Sequence, residues 1–516
     1  MSDAHLNKTQ TATDSHLDQG HDKKFETTNS DDNTSETNRQ IHTIKTSNGC
    51  EMCVPDNIND LVSYVLMEQE TWFESELNFL MTASDLLPRA IDISALYGIY
   101  SIPLATKLKK IFVFEANPIT SWYLNKSIEK NRLHNISLMS TEKPNANQPQ
   151  VTHNSPETFS TSPQFNLDKC CDFFKIDNID LLIINLGGDE QHILTHAQHF
   201  LKNNQALIML RRNNELEIST NMLHIFQEYD YDCYYLIPGI NILTSLEDLS
   251  ILESSSTNLF FCKKLTAKRL EQSGLLATSL NLVEEEDSNN RHCDIDIAQQ
   301  LEQAFSDYPY ATSLSNHWEY GKMAEQVVAS HYQKSLHYYF LAHDTKQNSK
   351  QRVAYLMEAF NSLSESLQTQ ADLPQLLTLA RISLELSLTS TALQSLSLIL
   401  ETFCSDQIMA ANEPFLTPHY IFDQVDPDEC FGEWVFSSVL QTYLWTKSYS
   451  SYFMTKNELQ TLQGLISDPF IQARTERCRQ LLSLRLGASN TFQAHKVLAQ
   501  KSPLNLNAKF WSGDKS

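Results

Sequence analysis

The stretch from Arg89 to Tyr100 constrains the fold more than any other part of the chain. Its first residues, Arg-Ala-Ile-Asp-Ile, are typical of a short buried strand, and Ser-Ala-Leu-Tyr-Gly follows as a turn before a helix. The next apolar run, 111–114, ends at Glu115. Open α/β sheets bind nucleosides with this combination of strand, loop, helix and carboxylate. The loop lets the backbone approach the ligand, and the carboxylate accepts hydrogen bonds from the ribose hydroxyls. A bare packing turn fits the same residues, so both interpretations stay open at this point.

Further apolar runs complete the predicted sheet. Residues 136–138 and 206–210 read as strands, and residues 179–186 are apolar on both faces, as a central parallel strand should be. Residues 233–236 and 258–262 are also strand-like, with only a loop between them. Alternating βα units that finish in a strand pair without a helix predict a parallel sheet with an antiparallel edge.

Composition divides the chain into segments. Residues 1–47 are rich in Asn, Asp, Thr and Ser, and they bury too little apolar surface to offset the entropy of ordering, so we expect a disordered tail. We expect an α/β domain over 48–264 and a linker over 265–299, which contains an acidic run. Residues 300–505 show helical apolar stripes without strand patterns, which predicts an all-α domain, and 506–516 are expected to form a C-terminal tail.

One part of the predicted all-α domain resembles a helical hairpin. A helix is expected to begin around Pro374, and after a break near Thr389 a second apolar stripe runs through Leu393 to Phe403. The pair is similar to a tetratricopeptide-like hairpin, although the sequence has no fixed-period repeat. Nothing in this half indicates catalysis.

The formal charge of −24 argues against nucleic acid or an anionic membrane surface as the main partner. No apolar run is long enough to span a membrane, and the first residues do not resemble a signal peptide, so we expect a cytoplasmic protein. Ten scattered cysteines fit reduced thiols in such a compartment. Cys50 and Cys53 have metal-ligand spacing, but no second pair follows them, and we expect no metal.

Taken together, these patterns resemble the FkbM-type S-adenosylmethionine-dependent methyltransferases, which have the class I methyltransferase fold. The stretches that carry the resemblance are Val54–Asp56, Glu70–Glu76, Asp92–Tyr100, Phe114–Pro118, Asn131–Asn135, Asp180–Glu190 and Glu413–Pro418. They cover less than half of the chain closely. The resemblance implies S-adenosylmethionine as the cofactor. The implied cofactor-binding residues are Asp92, Ser94, Gly98, Glu115 and Asn117, and the implied catalytic residues are Asn185 and Asp189.

The chain departs from the family pattern at the cofactor loop. Ser94 stands where the family has its first loop glycine, and Leu96 stands where it has an asparagine. A serine narrows the space for a backbone wrapped around the methionine moiety. Leu96 removes a polar group expected near the cofactor.

A second departure lies in the family's Lys-x-Asp-x-Glu-Gly motif, where this chain has Ile183, Asn185 and Gly187 in place of the lysine and two acids. O-methylation of an alcohol needs a group that takes the hydroxyl proton, and an asparagine side chain cannot accept it. Asp189 or Glu190 would replace the acid if the loop bends back, but both also suit the first turn of a helix.

Three hypotheses follow. The first is an active methyltransferase that acts on an oxygen of a sugar, a lipid-linked glycan or another small hydroxyl acceptor. The second is a catalytically inactive methyltransferase-like domain that serves as a binding or scaffolding module, with a protein partner on the helical domain, residues 300–505. The third, a nicotinamide dehydrogenase, ranks last because the chain lacks the full three-glycine loop.

Overall fold

The computed structural model describes residues 39–139, 165–186, 190–211, 220–245, 258–278, 297–315, 318, 329–368, 371–404 and 411–512. The predicted disorder of residues 1–38 and the acidic part of the predicted linker lie outside these residues. Elements are numbered here along the chain. The strands are β1 (Ile41–Lys45), β2 (Glu51–Pro55), β3 (Arg89–Ile93), β4 (Lys110–Phe114), β5 (Ile136–Met139), β6 (Leu181–Ile184), β7 (Leu207–Arg211), β8 (Tyr231–Ile237), β9 (Ile242–Ser245), β10 (Asn258–Lys263) and β11 (Leu276–Ala277).

The helices of the first half accompany these strands. They are α1 (Leu61–Gln69), α2 (Glu76–Thr82), α3 (Ser101–Ala105), α4 (Pro118–Lys130), α5 (Leu167–Phe174), α6 (Glu190–Thr195), α7 (Gln198–Asn203), α8 (Thr220–Glu228) and α9 (Lys264–Gln272).

The second half is mostly helical. Its helices are α10 (Ile297–Phe305), α11 (Pro309–Leu314), α12 (His331–His343), α13 (Ser349–Leu367), α14 (Leu373–Glu385), α15 (Thr389–Cys404), α16 (Phe431–Lys447), α17 (Lys456–Gly464), α18 (Ala473–Arg485), α19 (Lys496–Ala499) and α20 (Ala508–Trp511). The helices expected on either side of Thr389 are α14 and α15, which pack against each other. No helix among the described residues is long and apolar enough to cross a membrane.

Among the described residues, one sheet has the strand order β11-β9-β8-β10-β7-β6-β3-β4-β5. Strands β3 to β7 pair in parallel, whereas β10 lies antiparallel between β7 and β8. The order β5-β4-β3-β6-β7 is that of a doubly wound sheet, and the inserted antiparallel strand makes it the class I methyltransferase fold. The predicted fold class is therefore confirmed, with β9 and β11 added beyond β8.

Apolar side chains cover both faces of the sheet because residues of the central strands alternate between them. On one face Ile91, Leu182 and Ile208 belong to a core that continues into α12 to α16. On the other face Leu181 and Ile183 share a core with α1 and with α18 near the C-terminus. The apolar run of β6 is thus buried on both sides, as its sequence predicts.

Ordered elements lie in three segments for which the sequence predicts none. Strand β1 falls within the predicted N-terminal tail and pairs with β2, with Ile44 buried. Strand β11 and all of helix α9 except Lys264 fall within the predicted linker, and α20 falls within the predicted C-terminal tail, with Trp511 buried. The predicted disorder is wrong for residues 41–45, because β1 is held by its pairing with β2 and by hydrogen bonds with Asn507. The bounds of the linker and of the C-terminal tail stay predictions. The division into an α/β and an all-α domain stays a prediction.

The C-terminal segment is tied to the end of α1 by a buried carboxylate. Glu70, 2% exposed, accepts hydrogen bonds from the backbone of Leu506 (2.7 Å) and Asn507 (2.9 Å) and from Asn507 Nδ2 (2.9 Å). Arg477 lies 3.7 Å from the same carboxylate and donates from Nε to the carbonyl of Glu68 at 2.7 Å. A buried charge with this many donors is stable only while all of them stay in place. The segment that follows α1 is therefore fixed from the far end of the chain.

We predict that Asn507→Ala lowers the free energy of unfolding by roughly 2 kcal/mol, because it removes a donor to a buried carboxylate. It also removes the hydrogen bonds of Asn507 with the backbone of Lys45. Ser512→Ala, which removes an exposed hydrogen bond to Lys509, is the control and should change stability by less than about 0.5 kcal/mol. Urea unfolding of both variants checks this, and equal effects would contradict the anchoring role.

Candidate functional site

The loop after β3 has an unusual backbone. Ser94, Leu96, Tyr97 and Gly98 have φ angles of 63°, 44°, 58° and 90°, and three of these residues are not glycine. Such left-handed residues cost on the order of 1 kcal/mol or more each and persist where the surroundings enforce them, often at functional sites. The backbone N–H of Ser94 donates to the carbonyl of Phe114 at 2.9 Å, so the loop is fastened to the end of β4.

Gly98 is required by packing as well as by its φ angle. A Cβ atom there would lie 2.5 Å from Leu124 Cδ1 and 2.7 Å from Ile102 Cγ1. The absence of a side chain thus lets the loop lie directly on α4 and α3. The family resemblance implies that Gly98 binds the cofactor, and the structure adds packing as a second reason for a glycine at that position.

Glu115 follows β4 and faces this loop. Its Oε2 accepts a hydrogen bond from the backbone N–H of Leu96 at 3.3 Å, and its Oε1 accepts one from Asn117 at 2.9 Å. The carboxylate is half-buried, and burial raises its pKa to about 7 although these hydrogen bonds act in the opposite direction. Asn117 itself is exposed and caps α4, where its Oδ1 accepts from Ile119 at 2.9 Å.

Asp92 lies inside β3, two residues before the loop that begins at Ser94. It is 1% exposed, its Oδ2 accepts a hydrogen bond from Ser101 Oγ, and its Oδ1 has no hydrogen-bond partner. Burial raises its pKa to about 7. The side chain therefore connects β3 to α3 below the loop.

Asn185 comes directly after β6, at the same edge of the sheet. Its backbone N–H donates to Ile93 at 3.3 Å, and its Oδ1 accepts from Arg211 Nη1 at 2.9 Å. The side-chain Nδ2 is buried and has no hydrogen-bond partner. Asp189, the other predicted catalytic residue, lies outside the described residues, and Glu190 is the buried first residue of α6.

The structure adds three polar residues that the sequence analysis did not single out. Glu74, in the segment between α1 and α2, is 5% exposed, and its Oε2 accepts a hydrogen bond from Tyr100 OH. Its Oε1 lies 3.8 Å from Arg211 Nη1 and has no hydrogen bond. The sequence contains two signals for this pair. Arg211 directly follows the apolar run 206–210, and Glu74 lies in the stretch Glu70–Glu76.

The structure thus brings Ser94, Gly98, Glu115 and Asn185 to one edge of the sheet, with Asp92 beneath. The half-buried carboxylate of Glu115 has acceptor capacity left beyond its backbone hydrogen bonds, which a ribose hydroxyl can use. No group of metal-ligating side chains occurs among the described residues. Cys50 and Cys53 are separate buried thiols: the Cys50 Sγ lies 4.0 Å from the carbonyl of Ile102, and the Cys53 Sγ lies 3.9 Å from Thr43 Oγ1.

No protein-family model matches the chain, and no curated protein sequence matches it. Three solved structures to which it is similar are methyltransferases or carry a methyl donor. Precorrin-6y C5,15-methyltransferase from Geobacter metallireducens is 17% identical over 30% of this chain and 72% of that chain, with a TM-score of 0.21. M. jannaschii TYW2 in complex with AdoMet is 15% identical over 45% of this chain and 88% of that chain, with a TM-score of 0.26. M. jannaschii tRNA m1G37 methyltransferase is 15% identical over 43% of this chain and 53% of that chain, with a TM-score of 0.24. The fold assignment rests on the strand order and directions given above.

We predict that Asp92→Asn gains stability relative to the wild type as the pH rises. The folded-state pKa of about 7 lies above the ordinary 3.8, so ionising the buried carboxyl costs stability progressively up to pH 7. An asparagine carries no such cost. The difference in free energy of unfolding between the variant and the wild type should therefore shift by about 2–3 kcal/mol in favour of the variant from pH 5 to pH 8.5. Urea unfolding at both pH values measures this, and a difference that does not vary with pH would contradict it.

Proposed function

We propose that the chain is an S-adenosylmethionine-dependent methyltransferase of the FkbM type that methylates a hydroxyl of a sugar or other small acceptor. One observation carries this proposal. Glu115, directly after β4, accepts a hydrogen bond from the strained loop that follows β3, so a half-buried carboxylate and the loop backbone lie side by side. This is the arrangement that binds a nucleoside at the carboxyl edge of a doubly wound sheet.

Each residue then has a definite role. Glu115 would accept hydrogen bonds from the ribose hydroxyls and the Ser94–Gly98 loop would hold the rest of the cofactor, while Asp92 holds β3 to α3 beneath the loop. The cofactor supplies an electrophilic methyl group on a sulfonium. The protein contributes mainly alignment of the acceptor oxygen with that methyl. Asn185 offers a hydrogen-bond donor to the acceptor.

Calorimetric titration with S-adenosylmethionine and S-adenosylhomocysteine tests the proposal. The wild type should bind both, and Glu115→Ala should abolish binding because the ribose loses its acceptor. The control is Glu129→Ala on α4, where the carboxylate forms an exposed ion pair with Lys126 and should not affect affinity. Unchanged affinity in Glu115→Ala would refute the assignment.

The affinity should also depend on pH through Glu115. Only the ionised form of Glu115 accepts hydrogen bonds from both hydroxyls. Because its pKa is about 7, most of the protein carries the protonated form at pH 6, and binding then requires loss of that proton. Affinity should therefore rise about tenfold from pH 6 to pH 8 and then level off. Glu115→Gln should bind weakly with no such rise. Calorimetry at pH 6, 7 and 8 measures this, and equal wild-type affinity at all three would count against a titrating Glu115.

A second candidate function is a binding or scaffolding module without catalysis, with residues 300–505 as the partner surface. The observation that favours it is the pair of hydrogen bonds by which Glu115 is already engaged with the backbone of Leu96 and Asn117. Absence of binding to both S-adenosylmethionine and S-adenosylhomocysteine would favour this function over the first. Partner binding must then be tested on the full chain, because the C-terminal segment is part of the core around α1.

A further inference from the structure

Two side chains that flank Arg211 each have one buried polar atom without a hydrogen-bond partner among the described residues: Glu74 Oε1 and Asn185 Nδ2. A buried donor or acceptor without a partner typically costs 1–3 kcal/mol, so such atoms are rare and call for an explanation. One is an acceptor and the other is a donor. Both belong to side chains at the carboxyl edge of the sheet, where the proposed acceptor must meet the cofactor.

The hydrogen bonds around Asn185 and Glu74 determine which atom of each side chain has no partner. Arg211 has only donors, so the oxygen of the Asn185 amide must face its Nη1, 2.9 Å away, and the NH2 group points elsewhere. On Glu74, Tyr100 OH occupies Oε2. The same Nη1 lies 3.8 Å from Glu74 Oε1, which is too far for a hydrogen bond. A single guanidinium nitrogen thus stands between the two side chains.

We propose that these atoms bind the acceptor hydroxyl and that Glu74 is the general base for methyl transfer, an inference that rests on the proposed function. A hydroxyl donates one hydrogen bond and accepts others, so a single hydroxyl bound between the two side chains would satisfy both Glu74 Oε1 and Asn185 Nδ2. As the hydroxyl oxygen attacks, a C–O bond forms to the methyl carbon and the C–S bond breaks, with its electron pair passing to sulfur. The hydroxyl proton moves to Glu74 Oε1.

The charges around this position favour a neutral acceptor. Glu74 and Arg211 carry opposite charges 3.8 Å apart, so a charged acceptor of either sign meets one like charge. A carboxylate acceptor would be repelled by Glu74, and an ammonium would be repelled by Arg211. Asn185 cannot accept a proton, and Glu74 supplies the missing acceptor from another part of the chain.

Formation of S-adenosylhomocysteine by the full chain tests this inference, with methyl glucoside and glycerol as hydroxyl probes and butyrate as a carboxylate probe. Glu74→Gln should lower the rate with the hydroxyl probes about 100-fold or more, because the base is lost. Its affinity for S-adenosylmethionine should stay within about twofold of the wild type. The rate with butyrate should not fall, because a carboxylate needs no base and no longer meets a like charge.

Glu76→Gln is the matched control, since it removes another buried acid two residues away. It should leave both rates within about threefold of the wild type. An unchanged hydroxyl rate in Glu74→Gln would overturn the inference and indicate that only a structural water joins the two atoms. So would a wild type that binds S-adenosylmethionine but methylates no hydroxyl probe. A wild type that does not bind the cofactor would instead overturn the proposed function.

Discussion

The parallel pairing of β3, β4, β6 and β7 is the constraint on which the site depends. Ile93 pairs with Phe114 and with Ile184, and Ile184 pairs with Leu210, so the four strands end level with one another. The polar residues at or just after these ends therefore lie at one edge. A slip of one residue would exchange the side chains that pack into the two different cores on either face, which is why the register is firmly fixed. The apolar core on both faces offsets the cost of the buried carboxylates and left-handed residues at the edge.

Much of this arrangement could be predicted from local sequence. Apolar runs correctly predict the strands of the central sheet, and the break near Thr389 correctly predicts that α14 and α15 are separate helices. Asn117 followed by proline correctly marks the start of α4, because the side chain caps the helix and the proline lacks the N–H that would need a partner. Ser94, Gly98, Glu115 and Asn185 could be placed at one edge because parallel strands end on the same side.

The remaining features depend on contacts between distant parts of the chain. The sequence shows an acid at Glu74 and a cation at Arg211, but nothing local indicates that the segment before α2 meets the end of β7. The polar C-terminal residues read as a tail, yet Asn507 and its neighbours satisfy the buried Glu70. Strand β1 lies in an equally polar segment, and its order depends on pairing with β2 and on hydrogen bonds between Lys45 and Asn507. Composition and periodicity describe a segment alone and cannot reveal such partners.

A crystal structure of the protein soaked with S-adenosylhomocysteine would test the central claim most directly. The account predicts the ribose hydroxyls within hydrogen-bond distance of Glu115, with the rest of the ligand along the Ser94–Gly98 loop and its sulfur toward Asn185. Ligand bound at another part of the surface would contradict it. So would a saturating soak in which Glu115 keeps only its hydrogen bonds with the backbone of Leu96 and Asn117.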